Sequence, residues 1–403
     1  MKSFFSALLA FMLALTLCAA AAAETVTDEC PTILAAGGSF AFLRTEDGVI
    51  WGWGDNTSGQ LGIENNKRQQ LSVHSILAVD GAHVKDIQCG NISTLVLMDD
   101  GTLWACGGNN YGQGGTGADN KKSYLFSAVQ ITGVTDRDIV QIACGFGQCM
   151  ALTSGGEVWI WGRNSNSQQG TGIRGNSYEP RKLDLQNIVQ VECGGKFCMA
   201  LDSEGQVWGW GDNSHGELLE LSNGKNVATP TVIESLTGRF VKIACAGSSA
   251  YGIDADGKVW SWGRNDYKQL GRTTSGGKDS KTPGLVELPD DIGIAEIWAY
   301  NSHTAILTTD GKVWLWGRGS TGQTGNGSRI TSVLPMQIGP EGETIVDVAV
   351  GSSSTYLLTD KGELYSAGYA EFGQMGAFKK THYYVTSWVK NPVNASGEYT
   401  EPD

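Results

Sequence analysis

Apolar and polar residues alternate over short runs along this chain, and the local signals are those of β structure. Residues Ile139 to Cys144 alternate as a short strand, here strand A. The turn Cys-Gly-Phe-Gly-Gln-Cys follows, and Met150 to Thr153 makes a second strand, B. A turn glycine comes next, mostly inside a pair such as Asp47-Gly48 or Glu204-Gly205, which is a strong hairpin signal. Strand C then carries two tryptophans at i and i+2, for example Trp159 and Trp161, and a period of two puts both on one face. A longer polar loop leads to a fourth strand, D, as in Ser332 to Ile338.

This unit recurs. The stretch Val49 to Gly62, VIWGWGDNTSGQLG, returns as TLWACGGNNYGQGG, EVWIWGRNSNSQQG, QVWGWGDNSHGELL, KVWSWGRNDYKQLG, KVWLWGRGSTGQTG and ELYSAGYAEFGQMG. The turn glycines Gly48, Gly101, Gly156, Gly205, Gly257, Gly311 and Gly362 lie 53, 55, 49, 52, 54 and 51 residues apart, so seven copies account for nearly all of the chain from Cys30 to Trp388. Four short strands cannot bury a tryptophan-bearing face alone, whereas sheets stacked side by side can, and a closed ring protects their edges. The expected fold is all-β: a seven-bladed β-propeller of four-stranded antiparallel blades. Of the 13 tryptophans, 11 fall on strand C, which assigns them to blade-to-blade packing rather than to stacking on sugars.

The set of C-G-x-x, a D-G turn, V-W-x-W-G and G-Q-L-G resembles the regulator of chromosome condensation repeat family. The resemblance spans all seven copies and implies the propeller. Its implication for function is wider, because one fold hosts many activities. The founding member is a guanine-nucleotide exchange factor that docks on chromatin and works through loops and an inserted β-wedge. Spacings of 49 to 55 residues leave no repeat here room for such an insertion. Other members, secreted bacterial inhibitors among them, use one face to bind another protein.

Charge and termini narrow the setting. Against 42 acidic residues stand 29 basic ones, a net charge of −13, which repels phosphate backbones and argues against nucleic acid as a partner. At the start, Lys2 precedes an apolar run from Phe4 to Leu17 and an alanine-rich stretch to Ala23. That is the build of a secretory signal peptide, residues 1–23, cut after the Ala21/Ala23 pattern and before Glu24. A lipid anchor on Cys18 is the rival, disfavoured by the bulk of Leu17. The expected protein is secreted or extracytoplasmic, without a membrane span and monomeric, with the propeller over 24–391 and a flexible tail over 392–403.

No catalytic constellation is visible. The five histidines, His74, His83, His215, His303 and His382, form no H-E-x-x-H, and no C-x-x-C pair, nucleophile elbow or P-loop occurs, so no metal or cofactor is expected. The Asp55-Asn56 and Asp212-Asn213 pairs fit turn chemistry better than calcium. Exchange activity and a polysaccharide-directed enzyme remain the alternatives to a non-catalytic scaffold with an unknown protein partner.

Two features stand out as candidate sites. Cys144/Cys149 and Cys193/Cys198 share a C-x4-C spacing across the A–B turn, which fits either cross-turn disulfides or buried thiols. The A–B turn of the sixth repeat breaks the pattern, with Trp298 and Tyr300 where others have Ala-Cys-Gly or Glu-Cys-Gly, and His303 where others have Phe, Ser or Gln. With Phe146, Lys196 and Phe197 on neighbouring turns, these residues are the candidate partner contacts. The competing reading makes Trp298 and Tyr300 a plug for the central channel.

Overall fold

The computed structural model describes residues 32–63, 70–74, 84–117, 124–134, 138–222, 225–376 and 383–400. The signal-peptide segment, Cys18, Cys30, His83 and His382 lie outside them, as do the side chain of His74 and residues 401–403. Seven four-stranded sheets follow one another along the chain, each in the order A-B-C-D. They occupy residues 33–74, 84–131, 139–182, 188–232, 240–285, 294–337 and 345–390, and all pairings within them are antiparallel. Each turn glycine between strands B and C has φ between 74° and 86°, a conformation that a side chain resists, which is why Asp-Gly and its variants mark these turns.

Side chains explain why the sheets pack radially. The second tryptophan of strand C is fully buried in five blades: Trp53, Trp161, Trp210, Trp262 and Trp316. Its indole N–H reaches into the preceding blade and donates to a backbone carbonyl there. Trp161 meets Gln113 O at 2.9 Å, Trp210 meets Gln168 O at 2.8 Å, Trp262 meets Glu217 O at 2.8 Å, and Trp316 meets Gln269 O at 2.6 Å. Trp53 closes the circle by donating to Gln374 O of blade 7 at 2.9 Å. Blade 2 has Cys106 at this position, with its sulfur 3.4 Å from Gln60 O. The tryptophans therefore do the packing work that the repeat assigns them.

The receiving Gln, or Glu217, folds its own turn. Its side-chain oxygen accepts the N–H two residues earlier in all seven blades, as from Ser58, Tyr111, Asn166, His215, Tyr267, Thr321 and Phe372. Asn56 and Asn213 accept from the backbone five residues on, at 2.9 and 2.7 Å. Turn chemistry, as read from sequence, is what these residues perform.

The blades meet at a second level through their A–B turns. Gly38 N donates to Gly90 O, Gly195 N to Gly247 O, Gly247 N to Asn301 O and Ser352 N to Gly37 O, the last joining blade 7 to blade 1. Blade 1 is the first sheet of the chain, so no preceding blade hands it a linker. In blades 3 to 7 that linker offers a carbonyl to the B–C turn, as Asp138 does to Ser154, Asn187 to Ser203 and Thr344 to Asp360. For blade 1, Ala395 O accepts from Glu46 N while Ala395 N donates to Gly362 O of blade 7. Val393 and Ala395 are buried beside Leu43, Trp53 and Leu364, and Tyr399 stacks on Trp51 with ring centroids 5.9 Å apart. This corrects the expectation of a flexible tail over 392–403: residues 392–400 form a strap across the last seam.

Candidate functional site

The A–B turns and the loops between strands C and D share one end of the ring. Gly147, in the A–B turn of blade 3, lies against Tyr111 of one C–D loop and Arg163 of the next. The six candidate contacts distribute unevenly over this end. Lys196 is exposed, and Trp298, Tyr300 and Phe146 are partly buried. Phe197 and His303 are wholly buried, which removes both from the surface and corrects the reading of them as partner contacts. Phe197 lies beneath the Gly194 backbone. His303 holds Thr355 across the blade boundary, Nε2 to Oγ1 at 2.9 Å. Burial pushes its imidazole down to about 3, so it stays neutral at physiological pH and packs as a core residue.

Phe146 and Tyr300 come together although they sit in blades 3 and 6. Their ring centroids are 5.7 Å apart at 43°, which spans the channel and caps it at this end. Both rings are partly buried and the Tyr300 hydroxyl is enclosed, which favours the plug over the partner contact at Tyr300, with Phe146 joining it. Trp298 joins the apolar cluster beneath.

The four C-x4-C cysteines face each other in pairs, Cys144 opposite Cys149 and Cys193 opposite Cys198. Their sulfurs are 3.1 and 3.9 Å apart, and all four are thiols here. The contact with Cys149, followed by burial, pushes the Cys144 thiol up; burial first, then the contact with Cys198, does the same to Cys193. Cys89 and Cys245 take the same strand position but face Thr94 and Ala250, so neither has a cross-turn partner. Among the described residues no three His, Cys, Asp or Glu side chains stand close enough to share a metal ion, and no helix is long and apolar enough to cross a membrane.

What the sequence reading missed is the rim. The Arg163 guanidinium lies 4.8 Å from the Tyr111 ring centre, Arg318 lies 4.9 Å from Tyr267, and Arg329 lies 3.8 Å from Tyr384. Tyr384 in turn touches Tyr369, which meets Phe372 edge-on at 5.8 Å. Two of these pairs have one origin. An arginine directly after the strand-C glycine of one blade reaches back to the tyrosine just ahead of the G-Q or K-Q turn in the blade before. The signal was present in the W-G-R triplets and in Tyr111 and Tyr267, but only a closed ring puts them together.

The sequence model of the "Regulator of chromosome condensation (RCC1) repeat" matches residues 32–60, 84–113, 139–168, 188–217, 240–269, 294–323 and 345–374. The chain belongs to the RCC1 repeat family. A second model of the same repeat, in a different phase, matches six segments from 47–97 to 310–358. Ultraviolet-B receptor UVR8 of Arabidopsis thaliana is 29% identical over 349 residues, covering 85% of this chain and 78% of that protein. E3 ubiquitin-protein ligase HERC2 of Homo sapiens is 30% identical over 356 residues, again 85% of this RCC1-repeat chain but 7% of the ligase. Among solved structures, human WBSCR16 superposes with a TM-score of 0.75 at 27% identity, covering 83% of this chain and 88% of that one. Yeast RCC1 (Prp20), solved bound to Kap60, gives 0.75 at 22% identity with 89% and 84% coverage, a likeness of fold.

Proposed function

We propose that this RCC1-repeat propeller is a secreted, non-catalytic scaffold that binds another protein through its A–B-turn and C–D-loop face. The observation that carries the reading is the aromatic–arginine rim around the Phe146–Tyr300 cap. Tyrosine and arginine dominate the energetics of protein interfaces because they present large, rigid, amphipathic surface at small entropic cost. Stacking holds each guanidinium in place before a partner arrives, so less order is lost on binding. Arg163 and Arg318 are further fixed by Ser165 and Ser320, at 2.9 and 2.8 Å. The yeast relative was solved in complex with a protein, Kap60, which fits a propeller that works by docking. Export rests on the signal-peptide pattern of residues 1–23 and their removal before Glu24.

Affinity capture tests it. The immobilised propeller should retain a protein from the culture medium or cell envelope of its source. The double variant Arg163→Ala/Arg318→Ala should lose that protein by about tenfold or more while its thermal midpoint stays unchanged. Equal retention by both would refute the rim as the contact.

A further inference from the structure

The opposite end of the channel is built differently. In blades 2 to 7 strand A bulges after its first residue, and pairing jumps from Val84 to Asp86, Ile139 to Gln141, Ile188 to Gln190, Phe240 to Lys242, Ile294 to Glu296 and Ile345 to Asp347. The skipped residue faces no partner across the ladder and turns outwards at the B–C-turn end of the ring. It is Val140, Val189, Val241 and Val346 in blades 3, 4, 5 and 7, each about half exposed at 47–55%. Ala295 and Lys85 complete the set, with the Lys85 ammonium on Ile139 O at 3.3 Å. Repeated apolar exposure around one opening is a mark of an interaction surface.

Directly inside this mouth the A strands enclose a cavity of about 390 Å³, within the roughly 300–1,000 Å³ typical of ligand sites. Its charged lining is Glu192, Lys242 and Glu296, with Asp86 and Asp347 at the strand level of Glu296. Lys242 pairs with Glu296 at 2.5 Å. Glu192 accepts from Gln190 Nε2 at 3.1 Å, Asp347 from Val348 N at 2.7 Å, and Asp86 from Gln88 at 3.4 Å. Lys242 thus stands among four carboxylates, with Lys85 acting on Asp86 from the mouth. Phe146 and Tyr300 cap the far end, so entry is from the valine side.

We propose that this mouth docks a basic peptide segment of a protein partner, whose lysine or arginine enters the channel towards Glu192 and Asp347. Apolar residues flanking that cation lie on Val140, Val189, Val241 and Val346. Charge complementarity selects the occupant: a carboxylate-rich throat rejects an acidic or phosphorylated segment and favours a cation. The site is separate from the rim and does not depend on it.

Protonation supplies a distinctive readout. Burial pushes Glu192 up to about 8 and Asp347 up to about 7, with Glu296 raising both and Lys242 opposing it at Glu192. Gln190 from its own strand also faces Glu192, and Glu192 in turn acts on Cys245 of the next blade. An entering cation favours the ionised carboxylates, so binding releases protons and tightens as pH rises towards 8.

The test uses the full chain and a dye-labelled peptide, Val-Leu-Lys-Leu-Val, against its counterpart with Gln in place of Lys, followed by fluorescence anisotropy from pH 6 to 9. The lysine peptide should bind at least about tenfold tighter than the glutamine one. Val189→Ser/Val241→Ser should weaken it about tenfold, and Glu192→Gln should flatten the pH dependence between 7 and 8. Arg163→Ala/Arg318→Ala, on the far face, should bind as wild type does, which keeps this result distinct from the rim's. Equal affinity for both peptides, no binding of either, or a pH slope unchanged in Glu192→Gln would overturn the proposal.

Discussion

Val393 is the residue through which the C-terminal strap can be weighed. It is fully buried among Leu43, Trp53, Leu358 and Leu364, where blade 7 meets blade 1. Val393→Ala removes about two methylene equivalents at ~0.8 kcal/mol each and leaves a small void, a cost of about 2 kcal/mol. That figure corresponds to about a 30-fold rise in the opening equilibrium of the strap. Hydrogen exchange reads it directly, because the Glu46 amide donates to Ala395 O at 2.9 Å and the Ala395 amide to Gly362 O at 2.8 Å. Both amides should exchange about 30-fold faster in the variant. The Asp360 amide, which makes the matching bond to Thr344 O at the next seam, is the internal control and should keep its rate. Unchanged exchange at Glu46, or an equal rise at Glu46 and Asp360, would refute the strap as a local closure of the ring.

Two further outcomes follow from buried groups on the channel side. Glu192 carries a raised carboxyl in the folded state, so the native protein holds a proton that the unfolded chain releases above its ordinary range, and stability falls as pH rises from about 4.5 to about 8. Glu192→Gln removes that loss and should gain about 1–3 kcal/mol over wild type between pH 5 and 8.5 in urea titrations, and a gap independent of pH would contradict the assignment. For the thiols, Gly145 N bonds to Gln148 O and Gly194 N to Phe197 O, which makes each cysteine couple the adjacent, closer kind of cross-strand pair. With 3.1 Å against 3.9 Å to close, Cys144–Cys149 should cross-link before Cys193–Cys198 under mild oxidation, as seen by non-reducing peptide mass spectrometry. The reverse order would show that these separations do not govern reactivity.

Most of the fold was legible because the repeat encodes the same contacts in blade after blade. Paired tryptophans at i and i+2 of strand C in five repeats and a glycine in each B–C turn leave little freedom in how a blade forms or where it packs. The strap was not legible. Pro392 to Asp403 is polar and carries no strand pattern, and Val393 and Ala395 gain meaning only where blade 1 lacks a linker. Exposure along the A–B turns misled for a similar reason. His303 and Phe197 sit at a turn boundary in sequence, yet the first residue of strand B points into the seam between blades. The Tyr–Arg rim and the valine mouth both come from residues in different blades that closure brings together, and pattern within one repeat cannot show them.

The A–B-turn and C–D-loop face is the proposed seat of the partner. Hydroxyl-radical footprinting of the propeller with its captured partner measures that contact directly. Protection is expected at Tyr111, Tyr267, Phe146 and Tyr384. Protection confined to the B–C-turn end, or spread evenly around the ring, would contradict it.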